Sequence, residues 1–315
     1  MGSIKFPHLG LELDVGNGFE IFGITIAFYG IIIAIGMVLG ALVAYSDAKK
    51  TGQRVDDYID YTMFGILGAI VGARAYYVIF EWDYYSQNIG QIFNLRAGGL
   101  AIYGGIIGAF LVLFVFCRIK KLNILQMMDT IVLGLVLGQA VGRWGNFFNR
   151  EAYGGYTDGL FAMQIPVDDA SVVLSDMVVV VDGAKYVQVH PTFLYESFFC
   201  LIIFAILMIT RHKKVFQGEI LCRYLLGYGI LRFFIEGMRT DQLKVGSVAV
   251  SQVLSAVMAV AALVVMVAIH VINILKLRKI NDGTITPIQN KEPQTDENDK
   301  KTDEIKKTDK KMDEK

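Results

Sequence analysis

A short stretch that follows an apolar run concentrates side chains able to bind an anion. Arg143 comes just after the apolar residues 131–141, and Asn146, Asn149 and Glu151 follow it closely. An arginine at the centre of a membrane-spanning helix costs about 2.5–3.5 kcal/mol to insert, so it normally faces a partner, a water-filled cavity or a substrate. The stretch therefore predicts an anion site. The alternative is that Arg143 only extends its charged end to lipid headgroups.

A second group of polar side chains recurs at helical spacing in a later apolar segment. Tyr228, Arg232, Glu236 and Arg239 are separated by steps of four, four and three residues, which places them on one face of a helix. If Glu236 neutralises one arginine, the other keeps unused charge for an anionic ligand. A self-satisfied Arg-Glu-Arg cluster is the alternative for this segment alone. The presence of Arg143 at a similar membrane depth favours a shared anion site.

Other polar residues lie in or beside apolar segments. Arg74 could bind phosphate or pair with a carboxylate such as Asp60 or Asp129, and a structural pair is favoured. Ahead of a later span, His190 is interpreted as a structural hydrogen-bonding residue and Glu196 as a group that orients an arginine.

Tyr103 lies in a glycine-rich segment that opens another apolar run. Glycines at 98–99 and 104–105 surround it. Small residues of this kind allow two helices to approach closely, and a glycine-rich helix start also exposes N–H groups to an anion. Tyr29, in the first apolar run, is a second phenol for which aromatic packing is the default interpretation.

The composition is that of a membrane protein. Hydrophobic residues make up 54% of the chain and the mean hydropathy is +0.47, which is too apolar for a soluble domain. Charge is concentrated in loops and the tail, and nothing indicates a nucleic-acid partner. Cys117, Cys200 and Cys222 match no metal or redox spacing, so they are interpreted as buried apolar residues, and no metal or other cofactor is expected.

Apolar windows of about 20 residues, each long enough to cross a bilayer, predict an all-α polytopic membrane protein. We place seven transmembrane helices near 21–45, 58–80, 100–118, 127–143, 192–210, 219–237 and 247–274. The first run is long enough to span and follows an acidic leader, which favours a retained helix over a cleaved signal peptide. Lysine and arginine are concentrated in alternate loops, which predicts an external N-terminus and a cytoplasmic C-terminus.

The predicted organisation has five parts. They are an external N-terminal segment (1–20), helices one to four (21–148), an external head loop (149–190), helices five to seven (191–275) and a disordered charged cytoplasmic tail (276–315). Within the head loop, β-branched runs at 161–167, 177–181 and 186–189 predict the short strands of a small external head subdomain. A covering loop without a site and a substrate-docking role remain equally weighted interpretations.

Together these motifs resemble the prolipoprotein diacylglyceryl transferase family. The resemblance rests on residues 142–154, 190–196 and 226–239 and on the paired glycines around Tyr103, and it covers roughly residues 20–275. It implies transfer of the diacylglyceryl group from phosphatidylglycerol to the lipobox cysteine thiol of preprolipoprotein signal peptides, with release of glycerol phosphate. This is the first step of bacterial lipoprotein modification. The resemblance also implies a bacterial cytoplasmic (inner) membrane location, with the active site toward the outer leaflet.

For this chemistry the expected catalytic residues are Arg143, Arg232 and Tyr103. The two guanidinium groups would hold the phosphate while a deprotonated sulfur attacks the glycerol carbon bonded to it. Many family members have a histidine, proposed there as the base, where this chain has Tyr103. Tyr103 is either a base with a lowered pKa or, in the favoured version, a hydrogen-bond donor to the phosphate while the arginines lower the pKa of the thiol. The expected substrate-binding residues are Arg143, Asn146, Glu151, Gly154, Tyr29, Tyr228, Glu236 and Arg239.

Two other function classes would also place arginines in a membrane cavity. A membrane transporter of an organic anion usually shows repeated halves, and no repeat is visible in the seven predicted spans. A non-catalytic scaffold for anionic lipid would bind phosphatidylglycerol without turnover. The zinc-protease His-Glu-x-x-His and the Gly-x-Ser-x-Gly motif are both missing from the sequence.

Overall fold

The computed structural model describes residues 2–95, 98–242, 244–246 and 248–282. The described residues up to Ala268 form one compact unit, and the site residues belong to it. The helices are α1 (Phe28–Lys50), α2 (Val55–Phe80), α3 (Trp82–Tyr85), α4 (Ile102–Lys120), α5 (Ile124–Asn149), α6 (Thr192–Thr210), α7 (Glu219–Met238) and α8 (Val250–Asn281). The strands are β1 (Ile4–Phe6), β2 (Leu11–Leu13), β3 (Gly18–Ile21), β4 (Ile24–Ala27), β5 (Met163–Pro166), β6 (Val178–Val181), β7 (Ala184–Val189), β8 (Lys244–Val245) and β9 (Val248–Ala249).

Six of the described helices are long and apolar enough to cross a bilayer, as expected of a multi-pass membrane protein. They are α1, α2, α4, α5, α6 and α8. Helix α7 has 20 residues but carries Glu219, Arg223, Arg232 and Glu236. Its charge keeps it outside that group, so the predicted count of seven depends on this one helix.

The first and last helices differ from their predicted bounds. Residues 18–27 form the antiparallel hairpin β3–β4, so α1 begins at Phe28 and not near residue 21. Phe22 and Gly23 at the hairpin turn have positive φ, and the β-branched residues that follow favour a strand. At the other end α8 reaches Asn281. Residues 276–281 of the predicted tail are therefore helical, whereas 283–315 lie outside the described residues.

Two pairs of helices pack through glycines. Helix α1 lies along α5, and α2 lies along α4. A Cβ atom added to Gly40 would lie 2.7 Å from the Gly134 carbonyl oxygen, so even alanine does not fit there. Glycines four residues apart support such close packing in membranes, and they recur on all four helices: Gly36 and Gly40, Gly134 and Gly138, Gly68 and Gly72, and Gly104 and Gly108. The glycines after Tyr103 thus serve helix packing.

The two pairs meet at one end of the bundle, called here the basic end, where residues 51–54 and 121–123 connect neighbouring helices. A buried cluster closes the space between the pairs at this end. We call it the floor; it consists of Ala48, Tyr58, Leu113, Phe116, Cys117 and Met127, with Tyr61 and Ile131 packed against it. Ion pairs surround the floor, including Arg211 with Asp47 at 3.1 Å and Lys214 with Asp129 at 3.0 Å.

A five-stranded antiparallel sheet lies at the opposite end, called here the head end. Its strand order is β2-β1-β5-β7-β6, and the three β-branched runs of the head loop form β5, β6 and β7 as predicted. Strands β1 and β2 were not predicted. The buried guanidinium of Arg150 ties this N-terminal segment to the sheet, because it donates to the carbonyl oxygens of Gly2 at 2.6 Å and Val15 at 2.9 Å and pairs with Asp169.

Candidate active site

Glu196 on α6 joins three helices near the head end. Its carboxylate is only 2% exposed. It pairs with Arg143 of α5 at 2.9 Å and with Arg232 of α7 at 3.2 Å, and it accepts a hydrogen bond from the Tyr228 hydroxyl at 3.1 Å. The prediction that Glu196 orients an arginine is confirmed, and the carboxylate contacts two arginines at once.

The polar residues of α7 are arranged only partly as their spacing predicted. Tyr228 and Arg232 share a face with Glu236, which pairs with Arg232. Arg239 leaves that face, because its φ of −72° and ψ of 148° make it an extended residue just after the helix. It forms a two-bond pair with Asp241 at 2.9 and 2.6 Å. Among the described residues each of these arginines has a carboxylate partner, so the unused charge predicted for this segment is not found.

A cavity of about 740 Å³ opens beside this cluster. Its polar end is lined by Arg143, Asn146, Glu151, Arg239 and Asp241. Asn146 Nδ2 donates to Glu151 Oε1 at 2.9 Å, whereas Arg143 Nη1 makes a long 3.5 Å contact with Asn146 Oδ1. Two guanidinium groups from separate elements therefore border one polar space, and one of them has a nitrogen that is only weakly engaged by the amide beside it.

Apart from Thr62 and Gln139, the remaining wall of the cavity is apolar. Helices α1, α2, α4 and α5 line it with glycine, alanine and aliphatic side chains, and Tyr58 and Tyr61 lie at the floor. The lining residues between the polar end and the floor include Ile33, Met37, Ala41, Ala44, Ile66, Ala69, Ala109, Leu135 and Gly138. A long apolar space with a few convergent polar groups at one end suits a ligand with an anionic head and alkyl chains.

The other predicted site residues differ in whether they line this cavity. Tyr29 lines it and packs on Gly145, where an added Cβ would lie 2.7 Å from the tyrosine ring. Gly154 forms an isolated bridge with Arg239, and an added Cβ would lie 2.8 Å from that of His190. Gly154 therefore permits a close backbone contact that holds Arg239 in place.

Arg232 and Tyr103 do not line the cavity. Arg232 lies behind Arg143, with Glu196 between them. Tyr103 is 39% exposed, and its hydroxyl lies 3.1 Å from Ser251 Oγ at the start of α8. Among the described residues the Tyr103 hydroxyl is hydrogen-bonded to Ser251 and to none of the arginines with which it was expected to act.

Both interpretations of Arg74 are wrong. Its guanidinium donates to five backbone carbonyl oxygens between residues 91 and 99, at 2.6 to 3.2 Å. Of its two suggested partners, Asp60 pairs with Lys120 and Asp129 pairs with Lys214. Arg74 therefore organises the segment that leads into α4.

Asp241 is a site residue that the sequence reasoning missed. Partial burial raises the pKa of Asp241, but the hydrogen bonds and charge of Arg239 outweigh burial and leave that pKa below its usual range. The sequence did contain a signal for this pair, because a carboxylate two residues after an arginine can pair with that arginine when the chain is extended. His190 behaves as interpreted: burial lowers the pKa of His190, and its Nδ1 lies 3.4 Å from the Tyr195 hydroxyl.

The comparisons with known proteins all indicate the same family. Residues 17–268 match the family model described as prolipoprotein diacylglyceryl transferase. A phosphatidylglycerol–prolipoprotein diacylglyceryl transferase from Clostridioides difficile is 45% identical over 239 residues, covering 76% of this chain and 89% of that protein. A protein of the same name from Finegoldia magna is 48% identical over 75% of this chain and 88% of its own length. One from Listeria monocytogenes is 42% identical over 82% of this chain and 88% of its own length.

Proposed function

This chain belongs to the prolipoprotein diacylglyceryl transferase family, and from that premise we propose that it transfers a diacylglyceryl group from phosphatidylglycerol to the lipobox cysteine thiol of preprolipoproteins. Glycerol phosphate is the second product. The observation that carries the proposal is the cavity whose polar end holds Arg143 and Arg239 and whose wall is mostly apolar. The phosphate would lie between the two guanidinium groups, and the acyl chains would lie along the wall.

Arg143 and Arg239 are the proposed phosphate ligands, since both line the cavity. A guanidinium matches phosphate geometry and stays charged in a site of low dielectric. Asp241 holds Arg239 through two hydrogen bonds, and Glu196 holds Arg143. The phosphate would therefore meet cations that are already oriented, which reduces the reorganisation needed as charge develops on the leaving group.

Arg232 is proposed as a positioning residue rather than a direct ligand. It shares Glu196 with Arg143 and is itself held by Glu236. Its guanidinium contacts the buried carboxylate and holds it in place. Tyr228 supports the same carboxylate, while Tyr29, Asn146 and Glu151 shape the polar end around the headgroup.

The proposed chemistry is a displacement at the glycerol carbon that is bonded to phosphate. The cysteine S–H loses its proton to solvent, and the thiolate forms a C–S bond to that carbon. The C–O bond breaks, and its electron pair leaves with the phosphate oxygen of glycerol phosphate. The field of Arg143 and Arg239 would lower the pKa of the incoming thiol, so the base need not be Tyr103.

We propose that α7 is the seventh span, because its three polar residues near the head end are satisfied within the bundle by Glu196 and by one another. Seven spans place the ends of the chain on opposite sides. The lysines and arginines of the basic end support a cytoplasmic location for that end. Segment 1–20 and the 149–190 head would then lie outside, with the site toward the outer leaflet. The proposed location is the bacterial cytoplasmic membrane, and the proposed partners are phosphatidylglycerol, preprolipoprotein signal peptides and other membrane lipids, without nucleic acid.

The test uses the purified protein in detergent with phosphatidylglycerol and a lipobox peptide, and follows the peptide's mass. We expect a diacylglyceryl mass gain with the unmodified protein. Arg143→Ala and Arg239→Ala should each lower the rate by about 10²–10³-fold, the loss typical of removing one hydrogen-bond donor that stabilises charge in the transition state. Arg232→Ala should also lower the rate.

Arg223→Ala is the matched control. Arg223 also lies on α7 and also pairs with a glutamate four residues away, Glu219, but at the basic end. Phosphatidylglycerol binding without any mass gain would indicate a scaffold instead. Uptake of an unchanged organic anion into vesicles would indicate a transporter.

A further inference from the structure

We infer that the floor of the cavity limits the length of the acyl chain that the enzyme accepts, with Tyr61 and the neighbouring small wall residues as the specificity-determining groups. This inference rests on the proposed function, because it concerns the lipid that fills the same cavity. The inference is based on the observation that the apolar wall of the cavity ends at the floor, a buried cluster, and does not continue through the bundle.

The depth of the cavity matches the reach of an acyl chain. Between Arg143 and Ile131, which both line the cavity, α5 rises by about 18 Å. Half of a typical hydrocarbon core is about 15 Å thick. A lipid whose phosphate is at Arg143 would therefore bring the ends of its chains to the level of Ile131 and the floor.

The floor is fixed in place by packing and by buried hydrogen bonds. The Tyr61 ring lies over Gly65, where an added Cβ would be 3.1 Å from the ring, and its hydroxyl is 3.4 Å from the Ala109 carbonyl oxygen. Tyr58 donates to Gln53, and Gln53 donates to the buried Thr130 at 3.0 Å.

That chain of hydrogen bonds ends on a buried ion pair. Thr130 donates to Asp47 at 3.1 Å, and Asp47 pairs with Arg211 at 3.1 Å. Moving the floor down would break bonds to groups that are almost fully buried, which is costly where no water replaces them. A chain that is too long would therefore have to bend or stay out of the cavity.

The wall just above the floor is lined by residues too small to occupy the space. Ala41 of α1 lines the cavity one residue after Gly40, which packs against Gly134 about 14 Å below Arg143 along α5. A larger side chain at position 41 would take the volume of the last methylenes. Since each buried methylene is worth about 0.8 kcal/mol, each methylene excluded should change relative use by roughly fourfold.

The experiment is an internal competition. Purified full-length protein in detergent receives a lipobox peptide and an equimolar mixture of dilauroyl, dimyristoyl, dipalmitoyl and distearoyl phosphatidylglycerol, and the masses of the peptide products give their ratios. Ratios within one tube do not depend on the fraction of folded enzyme. The variants are Ala41→Leu to shorten the cavity and Tyr61→Leu to deepen it. Ala34→Leu, at an exposed position two turns earlier on the same helix and outside the cavity lining, is the matched control.

We expect Ala41→Leu to shift the products toward short chains by at least roughly fourfold, Tyr61→Leu to shift them toward long chains, and Ala34→Leu to keep the original ratios. Unchanged ratios in Ala41→Leu and Tyr61→Leu, with products still formed, would overturn the inference and leave the proposed function intact. Absence of every product with the unmodified protein would overturn both.

Discussion

Replacing Glu196 by glutamine should destabilise the protein far more than the same change at Glu151. Glu196 is 2% exposed, and it satisfies two guanidinium groups and a phenol from neighbouring helices. Glutamine keeps an acceptor oxygen, but its NH₂ group would face donors. Two partly buried cations would then lose their shared counter-charge.

The magnitude follows from the burial of the pair. Removing one partner of a buried ion pair costs about 3–5 kcal/mol. Glutamine retains one acceptor, so the lower end, about 3 kcal/mol, is the expected loss. Among the described residues, Glu151 accepts from two neutral amides, Asn146 at 2.9 Å and Asn149 at 3.3 Å. Glu151→Gln should therefore cost about 1 kcal/mol. At about 2–4 °C per kcal/mol, the melting temperature should fall by about 6–12 °C for Glu196→Gln and about 2–4 °C for Glu151→Gln.

The chain supplies its own probe for this measurement. Cys117 and Cys200 are free and buried, so a thiol-reactive fluorescent dye reports unfolding as they become accessible on heating. The half-buried Cys222 gives the baseline signal. If Glu196→Gln melted within about 2 °C of Glu151→Gln, less than 1 kcal/mol would separate the two carboxylates, and the reasoning that Glu196 joins the three helices would be refuted.

Three further outcomes follow from the same contacts. Tyr103→Phe removes one exposed hydrogen bond to Ser251, so turnover should fall by no more than about fivefold, the equivalent of ~1 kcal/mol. A loss of about a hundredfold in the peptide mass assay would instead place Tyr103 in the catalytic machinery. Asp241 has a lowered pKa in the folded protein, so its contribution to stability is present above the unfolded pKa of about 3.9 and is lost as the pH falls through the lower folded value. The difference in melting temperature between the unmodified protein and Asp241→Asn, followed by tryptophan fluorescence, should be constant from about pH 8 to 5 and shrink below about pH 4; a difference that shrinks already near neutral pH would contradict this. Gly99 has a φ of +75° and an added Cβ would lie 2.5 Å from Arg74 Nη1, so Gly99→Ala should loosen the segment held by Arg74 and increase its cleavage in limited proteolysis, whereas Gly90→Ala, where an added Cβ meets nothing within 4 Å, should leave cleavage unchanged.

The sequence predicted the membrane helices well and their ends less well. Hydrophobic length identifies a span but does not locate its first residue, which is why the hairpin before Phe28 was included in the first predicted helix. Strands β1 and β2 were missed for a different reason. They are three residues each, and their pairing with the head sheet depends on the distant Arg150 and Asp169.

The candidate site was predicted in residue type more than in pairing. Arg143, Arg232 and Arg239 could be identified as site candidates because charge inside an apolar run is costly. The carboxylate partner of each arginine could not be predicted, since Glu196 lies on a third helix and Asp241 follows the end of α7. Arg74 shows the limit most clearly: its partners are backbone carbonyls, which every residue type offers.

Among the described residues, the close glycine contacts of α1, α2, α4 and α5 lie within each helix pair. The α1–α5 and α2–α4 backbones touch along their lengths, whereas the pairs meet at the floor. Each pair is therefore a stiff arm, and the basic end is their common pivot. A small rotation at that pivot would become a larger displacement at the head end of the cavity while the backbone contacts within each pair are kept. We therefore expect the lateral pressure of the surrounding bilayer to affect the width of the cavity at the head end, and turnover in vesicles to depend on the bulk lipid as well as on the substrate.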